Sequence, residues 1–233
     1  MNRTLIASSL ATALVVSTNA QSAELSISVT NLTQGIYFTP LIIGAHTDSA
    51  SLFEVGEAAS SELQMVAEGG DISGIATVLS SVNANTVENP AVGLLAPGAN
   101  VQAELTTTEG NNVLSLLSML LPTNDGFIGL DNWTIPNTPG TYTVYLNAYD
   151  AGTEANDEII NGGGAPGIAG IPADPTSMGG TGASGITNSE TNDTIHIHRG
   201  NLGDDDNAAG KSDLNNTVHR WLNPVARVTV TVQ

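Results

Sequence analysis

Acidic side chains collect where two predicted β-strands end. Asp125 follows an apolar run at residues 113–121, and Asp150 follows an alternating run at residues 140–148. Three more acids come within eight residues of Asp150: Glu154, Asp157 and Glu158. Loops from separate strands converge at one end of a β-sandwich, and crowded carboxylates there suit Ca²⁺, which relieves their repulsion. The residues alone leave two interpretations open: turn residues that face water, which the pattern favours, and a calcium site.

Two histidines, His196 and His198, are two residues apart in a predicted strand, so both rings point to the same face. Such a pair holds Zn²⁺ or Cu²⁺ when a neighbouring strand supplies a third ligand. His219 or Asp193 could supply that ligand, although no spacing selects either one. The alternative is a pair of strand residues that bind no metal.

A second acidic group, residues 204–206 with Asn207 and Asp213, resembles an EF-hand loop only superficially. Ala209 and Asn216 stand where that loop needs an oxygen ligand and a bidentate glutamate. We therefore expect a solvated acidic loop. The sequence contains neither G-x-S-x-G nor H-E-x-x-H, so no common motif of a serine hydrolase or zinc protease is present.

The excess of acidic residues argues against some classes of binding partner. The chain has 233 residues, with 23 Asp and Glu, only 5 Lys and Arg, and a formal net charge of −18. That balance argues against binding nucleic acid, which relies on basic contacts to phosphate, and against docking on anionic lipid. With no cysteine, disulfides, thiol nucleophiles and thiolate metal sites are excluded.

The first residues read as a secretory signal peptide. An uncharged run at residues 5–16 follows one arginine, and small residues permit a cut after Ala20 or Ala23. The run is too short to span a bilayer, and no later segment is long and apolar enough. We predict a signal peptide over 1–23, one domain over 24–233, no membrane span, and a secreted or periplasmic location.

The remaining chain predicts an all-β protein. Alternating or continuous apolar runs predict strands at 25–32, 36–43, 101–107, 113–121, 140–148, 194–198 and 225–232. Residues 58–67 predict a short helix that ends at Gly69-Gly70, and residues 71–82 predict a second helix or an irregular stretch. Residues 162–185 hold nine glycines and three prolines, which favours a long, poorly constrained surface loop. The expected fold is an antiparallel β-sandwich with one or two short helices.

Four stretches, in chain order, resemble motifs of the spondin domain family, named for F-spondin and mindin. They are Phe38-Thr39-Pro40 through Ala67-Glu68-Gly69, the S-M-x-x-P-S-x-D-x-F-x-G-like stretch 118–129, the Y-D-A-G-T-D-like stretch 149–154 and the P-x-A-R-V-T-like stretch 223–230. The glycine-rich loop and the segment from His196 to Asp213 resemble stand-alone bacterial members of the family.

The resemblance implies a C2-like antiparallel β-sandwich with Ca²⁺ bound at one end. The family's metal ligands fall on Asp125 and Asp150. A third acidic ligand from the strand before the S-M stretch falls on Glu104, or in another register on Thr106 or Glu109. The resemblance also implies adhesion or binding of an extracellular protein or glycan, without catalysis.

Three functional hypotheses follow. The first is an exported, calcium-binding module for adhesion or ligand binding, and this is our prediction. The alternative is a metal-binding protein or metalloenzyme centred on His196 and His198. A third is a structural subunit of a surface assembly, which would expose a β-edge for a neighbour.

Overall fold

The computed structural model describes residues 22–176 and 179–233. The predicted signal peptide therefore lies outside the described residues except at its last two positions. The strands are β1 Glu24–Asn31, β2 Tyr37–Phe38, β3 Ile42–His46, β4 Asn85–Glu88, β5 Asn100–Thr106, β6 Val113–Leu121, β7 Gly126–Thr134, β8 Gly140–Leu146, β9 Ala148–Asp150, β10 His196–Ile197 and β11 Ala226–Val232. The helices are α1 Ser61–Gly69 and α2 Ser73–Ser81.

The strands form two antiparallel sheets. The first sheet has the order β5-β1-β11-β8. The second has the order β10-β9-β7-β6-β3-β4, and β2 pairs with β6 beside this path. The prediction of an all-β sandwich with two short helices is thus confirmed.

Alternation in β1 and β11 builds one half of the core. Leu25, Ile27 and Val29 of β1 are buried, while the residues between them are partly exposed. Val228 and Val230 of β11 lie on the same inner face. Burying side chains of this size stabilises the fold by about 1.5–3 kcal/mol each, so the period-2 pattern holds the first sheet against the second.

The apolar strand β6 is buried at all nine positions because both of its faces are covered. Leu114, Leu116 and Leu120 belong to the core between the sheets. Leu117 belongs to a second cluster with Leu63, a residue of α1, which packs on β6. The continuous apolar run predicted a central strand, and β6 occupies the predicted residues.

Two predicted strands are interrupted. The run at 36–43 divides into β2 and β3 around Pro40. The run at 140–148 divides at Asn147, where the chain leaves the first sheet and enters the second as β9. Local alternation continues across that point, so the change of sheet is invisible to periodicity.

The sequence reading missed β7, which contains Gly126 and Gly129. Glycine is depleted in strands, so the run has weak strand character. A Cβ at Gly129 would lie 2.5 Å from the ring of Phe53, so the close approach of that ring requires glycine here. The short strand β4 was also not predicted.

The glycine-rich loop is held more firmly than expected. The backbone N–H groups of Gly167 and Gly170 donate to the carboxylates of Glu68 (2.7 Å) and Glu154 (2.8 Å). Ile171 is fully buried. The predicted surface loop is present, but it is constrained around residues 167–171, because buried carboxylates bind its backbone there. Across the described residues, no helix has the length and apolar character to cross a membrane.

Candidate metal centre

Strand pairing brings Asp125 and Asp150 together. Asp125 precedes β7, Asp150 ends β9, and Gly126 of β7 is the register partner of Asp150. The backbone N–H of Ala151 donates to the carbonyl oxygen of Asp125 at 3.2 Å, which ties the two chain segments at this end of the sheet. Both carboxylates are buried, so the alternative of turn residues that face water is wrong for them.

The carboxylate of Asp125 is bound on one side only. Its Oδ2 accepts from the backbone N–H groups of Thr153 (2.8 Å) and Glu154 (3.1 Å). Its Oδ1 is buried and has no hydrogen-bond partner. Gly152 makes the turn that presents these N–H groups, with φ of +72°, and a Cβ there would lie 2.8 Å from the backbone of Asp193. Glycine is therefore required at this turn.

Asp150 accepts one hydrogen bond on each carboxylate oxygen. Oδ1 accepts from the N–H of Gly152 at 3.0 Å, and Oδ2 accepts from the amide of Asn156 at 2.8 Å. The Nε2 atom of His196 lies 3.7 Å from Oδ2. The ring of His196 is partly exposed, so this side of Asp150 faces the edge of the site.

Burial and mutual repulsion make these acids costly in their charged form. Burial, and next the charge of Asp150, raise the pKa of Asp125 well above its usual range, although the bonds from residues 153 and 154 oppose the shift. Burial also raises the pKa of Glu154 to about 7. One oxygen of Glu154, Oε1, is buried without a partner. Asp125 and Glu154 thus each have one buried oxygen atom without a hydrogen-bond partner.

Hard oxygen donors of this kind fit Ca²⁺, which takes 6–8 oxygen ligands from carboxylates, carbonyls and water. Within residues 22–176 and 179–233, however, no three His, Asp or Glu side chains are grouped closely enough to hold a metal ion by themselves. A calcium site here therefore needs backbone carbonyls or water besides Asp125 and Asp150.

The structure does not bring Glu104 to these two aspartates. Glu104 lies on the outer face of β5, in the first sheet, where it accepts from the hydroxyl of Ser26 at 2.8 Å. Thr106 shares that face, and Glu109 is exposed in the following turn. The acid that the fold places beside Asp125 is Glu154, which stands at the last position of the Y-D-A-G-T-D-like stretch. The acidic residue at the end of this motif is therefore the sequence feature that points to Glu154 as a third acid of the site.

The histidine pair lies at the same place as the aspartate pair. His196 of β10 is the register partner of Asp150. Its Nδ1 lies 2.8 Å from the carbonyl oxygen of Thr194, so Nδ1 carries the proton and Nε2 carries the lone pair when the ring is neutral. The sequence predicts these pairs as two separate sites, because no local sequence pattern shows that β9 and β10 are neighbouring strands.

His198 differs from His196 in its hydrogen bonding. Its Nδ1 accepts from the N–H of Gly200 at 3.0 Å, so in the neutral ring Nε2 carries the proton. Burial lowers the pKa of His198, while the charge of Asp150 opposes that shift. The ring is therefore neutral, and its protonated Nε2 is buried without a hydrogen-bond partner. In this tautomer neither nitrogen offers a free lone pair to a metal.

The two residues considered as a third ligand lie elsewhere. The Nε2 atom of His219 is 3.5 Å from Asp174, and its Nδ1 accepts from the N–H of Asn215. Burial lowers the pKa of His219, against the effect of the Asp174 charge. Asp193 has an exposed side chain.

A buried serine–histidine pair is present that no sequence motif indicated. The hydroxyl of Ser115 lies 2.8 Å from Nε2 of His46 and donates to Asp131 at 3.1 Å. In a catalytic triad the carboxylate binds the histidine, whereas here it binds the serine. Ser115 and His46 are both fully buried, so they connect β6, β3 and β7 inside the protein and no substrate reaches them.

In a second set of buried carboxylates, both oxygens accept hydrogen bonds from backbone N–H groups. This set consists of Glu158 and Asp213, which we name the loop anchors. Glu158 accepts from the N–H groups of Leu202 (2.6 Å) and Gly203 (2.8 Å) and from the hydroxyl of Ser212 (2.5 Å). It thereby fixes the segment that follows β10.

Asp213 fixes the far end of the glycine-rich loop. Its Oδ2 accepts from the N–H of Ile160 at 2.7 Å, and its Oδ1 accepts from Thr181 (2.7 Å) and Ala183 (3.2 Å). Asp205 and Asp206 are exposed, as expected for a solvated acidic loop. The expectation is wrong for Asp213, which is buried and accepts backbone hydrogen bonds.

A comparison with protein families finds one matching family model. The family model Spondin_N matches residues 30–158, just over half of the chain, from within β1 to Glu158. The matched region includes Asp125, Asp150 and Glu154. A comparison with curated proteins finds no match. The chain belongs to the spondin domain family.

Proposed function

We propose that this protein is an exported, calcium-binding spondin module that acts in adhesion or in binding an extracellular ligand, without catalysis. The observation that supports the calcium assignment is the buried pair Asp125 and Asp150. The Oδ1 atom of Asp125 has no hydrogen-bond partner, and burial and the charge of Asp150 both raise the pKa of Asp125. A bound Ca²⁺ would supply the positive charge that these groups lack.

The wider charge balance supports a cation rather than a basic side chain at this site. Only five Lys and Arg residues are present in the chain, and no Lys or Arg ion pair with Asp125, Asp150 or Glu154 is found in the described residues. Burying unpaired carboxylates is costly, and proteins offset that cost by protonation, pairing or metal binding.

Thermal unfolding of the mature protein in Ca²⁺ and in EGTA tests the proposal. At a free calcium concentration a hundredfold above Kd, linkage stabilises the fold by about 2.7 kcal/mol, which is about 5–10 °C in Tm for a chain of this size. Asp125→Asn should abolish the shift. Asp205→Asn, the same charge change at an exposed position, should retain it. An unchanged Tm for the wild type would contradict calcium binding.

The alternative metal assignment rests on the 3.7 Å approach of His196 Nε2 to Asp150 Oδ2. These two atoms could share a Zn²⁺ ion, with water completing the site. Zinc should then raise Tm more than calcium does, and His196→Gln should remove the zinc shift while Asp125→Asn leaves it. The opposite pattern would favour the calcium assignment.

The absence of catalysis belongs to the same proposal. It is supported by the lack of a recognised nucleophile motif and by the burial of Ser115 and His46. An accessible pair of groups arranged for nucleophilic attack would have argued the other way.

Export is proposed with removal of the residues up to Ala20. Ala23 belongs to the folded sheet, because its N–H donates to the Thr107 hydroxyl and its carbonyl oxygen accepts from the Thr107 N–H, both at 2.9 Å. A cut after Ala23 would remove both bonds. The intact mass of protein recovered from the periplasm or medium should place the N-terminus at Gln21, and retention of residue 1 would contradict export by this signal.

A further inference from the structure

Strand β8 is an open sheet edge. It pairs with β11 on one side, and on the other side no strand of the described residues pairs with it. The opposite edge of the same sheet, β5, continues into a turn whose Thr108 N–H donates to Asn85 of β4, which ties that edge to the second sheet. The end strands of the second sheet, β4 and β10, have four and two residues, against seven in β8.

The residues of β8 favour pairing with another strand. The strand reads GTYTVYL, which is rich in β-branched and aromatic residues and has neither charge nor proline. Exposed edges usually carry a lysine, a proline or a bulge that prevents added strands. In a chain with a net charge of −18, an uncharged edge of seven residues is therefore an unprotected site for strand addition.

A groove opens beside the end of β8, between this strand and β7. Its volume is about 380 Å³. Aromatic rings line it at Phe53, Tyr145 and Tyr149, and carboxylates line it at Glu54 and Asp131. None of its lining residues is basic.

The basic residue paired in register with Tyr145 bonds to another strand. Arg227 of β11 is the register partner of Tyr145, but its guanidinium donates to the hydroxyl of Thr30 in β1. Asp131 already accepts from Ser51 and Leu52, whereas the side chain of Glu54 is exposed. Aromatic faces beside a carboxylate without a basic partner favour a cationic group.

We propose that β8 and this groove bind an extended, basic peptide segment of a partner protein. The segment adds a strand to β8 through backbone hydrogen bonds, and a Lys or Arg side chain enters the groove between Tyr145 and Glu54. Affinity then comes from the strand and selectivity from the groove. This inference names a partner for the proposed binding role, but it does not depend on the calcium site.

Charge decides between this partner and a second copy of the chain. Two copies would bring a formal charge of −18 each to one interface, and like charges oppose such association. A basic segment is attracted by the same field. A β8-to-β8 dimer is thus the less favourable occupant of the edge.

A seven-residue peptide of alternating Val and Thr with one Arg near its end serves as the probe, matching β8 in length. Fluorescence anisotropy should show binding that weakens with added salt, and replacing Arg by Glu in the probe should abolish it. Hydrogen exchange should slow at residues 140–146 in the complex. Tyr145→Ala and Glu54→Gln should each weaken binding about tenfold, whereas Glu57→Gln, at an exposed position next to the groove residues, should not.

Three results would overturn the inference. They are equal binding of the Arg and Glu probes, slower exchange elsewhere but not at residues 140–146, and a dimer of the chain in sedimentation with slower exchange at residues 140–146. The titration is run in Ca²⁺ and in EGTA. Binding in both, without a calcium shift in Tm, would reject the calcium proposal and leave this inference standing. A calcium shift without binding of the basic probe would reject this inference alone.

Discussion

Buried carboxylates in this protein differ in how completely they are hydrogen-bonded. Asp125 and Glu154 each keep one buried oxygen without a partner. The loop anchors Glu158 and Asp213, also buried, accept hydrogen bonds on both oxygens. Asn124 lies between the two sets, since its amide donates to Glu154 and its oxygen accepts from the N–H of Glu158.

The difference shows that buried carboxylates can be hydrogen-bonded on both oxygens or on one oxygen only. Backbone N–H groups compensate the loop anchors for lost water, so their charge stabilises the fold. Asp125 is compensated on one oxygen only, and the charge of Asp150 repels it. Removing charge from the two sets should therefore have opposite effects on the free energy of unfolding.

The largest effect is expected for Glu158→Ala. The change leaves three donors without an acceptor, among them the N–H groups of Leu202 and Gly203, and should lower the free energy of unfolding by about 4 kcal/mol. Urea denaturation measures this, with the exposed Asp205→Ala as the control. A loss no larger than that of the control would show that water replaces the carboxylate.

The stabilising effect of Asp213, the second loop anchor, should depend on pH. Burial alone would raise its pKa, but bonds from Ile160, Ala183 and Thr181 outweigh burial and lower it below its ordinary value of 3.8. Its stabilising effect is therefore complete above that value and is lost as pH falls through the lower folded pKa. Asp213→Asn should cost about 2 kcal/mol at neutral pH and less in acid.

Urea denaturation of the wild type and of Asp213→Asn across the acid range gives the measurement. A difference that stayed constant down to the lowest pH would contradict a role for the charged form.

Asp125→Asn should change stability in the other direction. In EGTA, at a pH above the raised Asp125 pKa of about 8, the amide keeps an oxygen for the N–H groups of Thr153 and Glu154 but removes the charge beside Asp150, so the free energy of unfolding should rise by about 1 kcal/mol. Thermal and urea unfolding in EGTA test this against Asp205→Asn. A marked loss of stability would place Asp125 among the loop anchors.

The smallest effect is expected for Glu68→Gln. Glu68 accepts from the amide of Gln64 and the N–H of Gly167, both at 2.7 Å. Glutamine keeps one acceptor, so the loss should be about 0.5–1 kcal/mol. Hydrogen exchange should quicken at Gly167 and leave β6 unchanged, and equal quickening in β6 would indicate general unfolding instead.

Strands that depend on local pattern were predicted well. The continuous apolar run over 113–121 became β6, and the alternating runs near both ends became β1 and β11. The prediction failed where a distant contact decides the structure. Gly129 suits a strand only because the ring of Phe53 lies against it, and the break at Asn147 reflects a change of sheet.

The candidate site shows the same division. Asp125 and Asp150 were identified from motif and strand ends, and the fold places them together. Glu104 was predicted from the family resemblance, which implies a ligand on the strand before the S-M stretch, yet β5 pairs with β1 in the other sheet. The approach of His196 to Asp150 depends on the β9–β10 pairing, for which the sequence carries no local signal.

By itself, the sequence determined the all-β class, the family and the acidic character of this protein, because alternation, motif order and composition are properties of neighbouring residues. Only the tertiary structure decided which carboxylates lie free and which anchor loops. Whether a buried oxygen finds a donor depends on backbone N–H groups brought from distant segments, such as residues 170, 181 and 202, and those positions exist only once the sheets have packed.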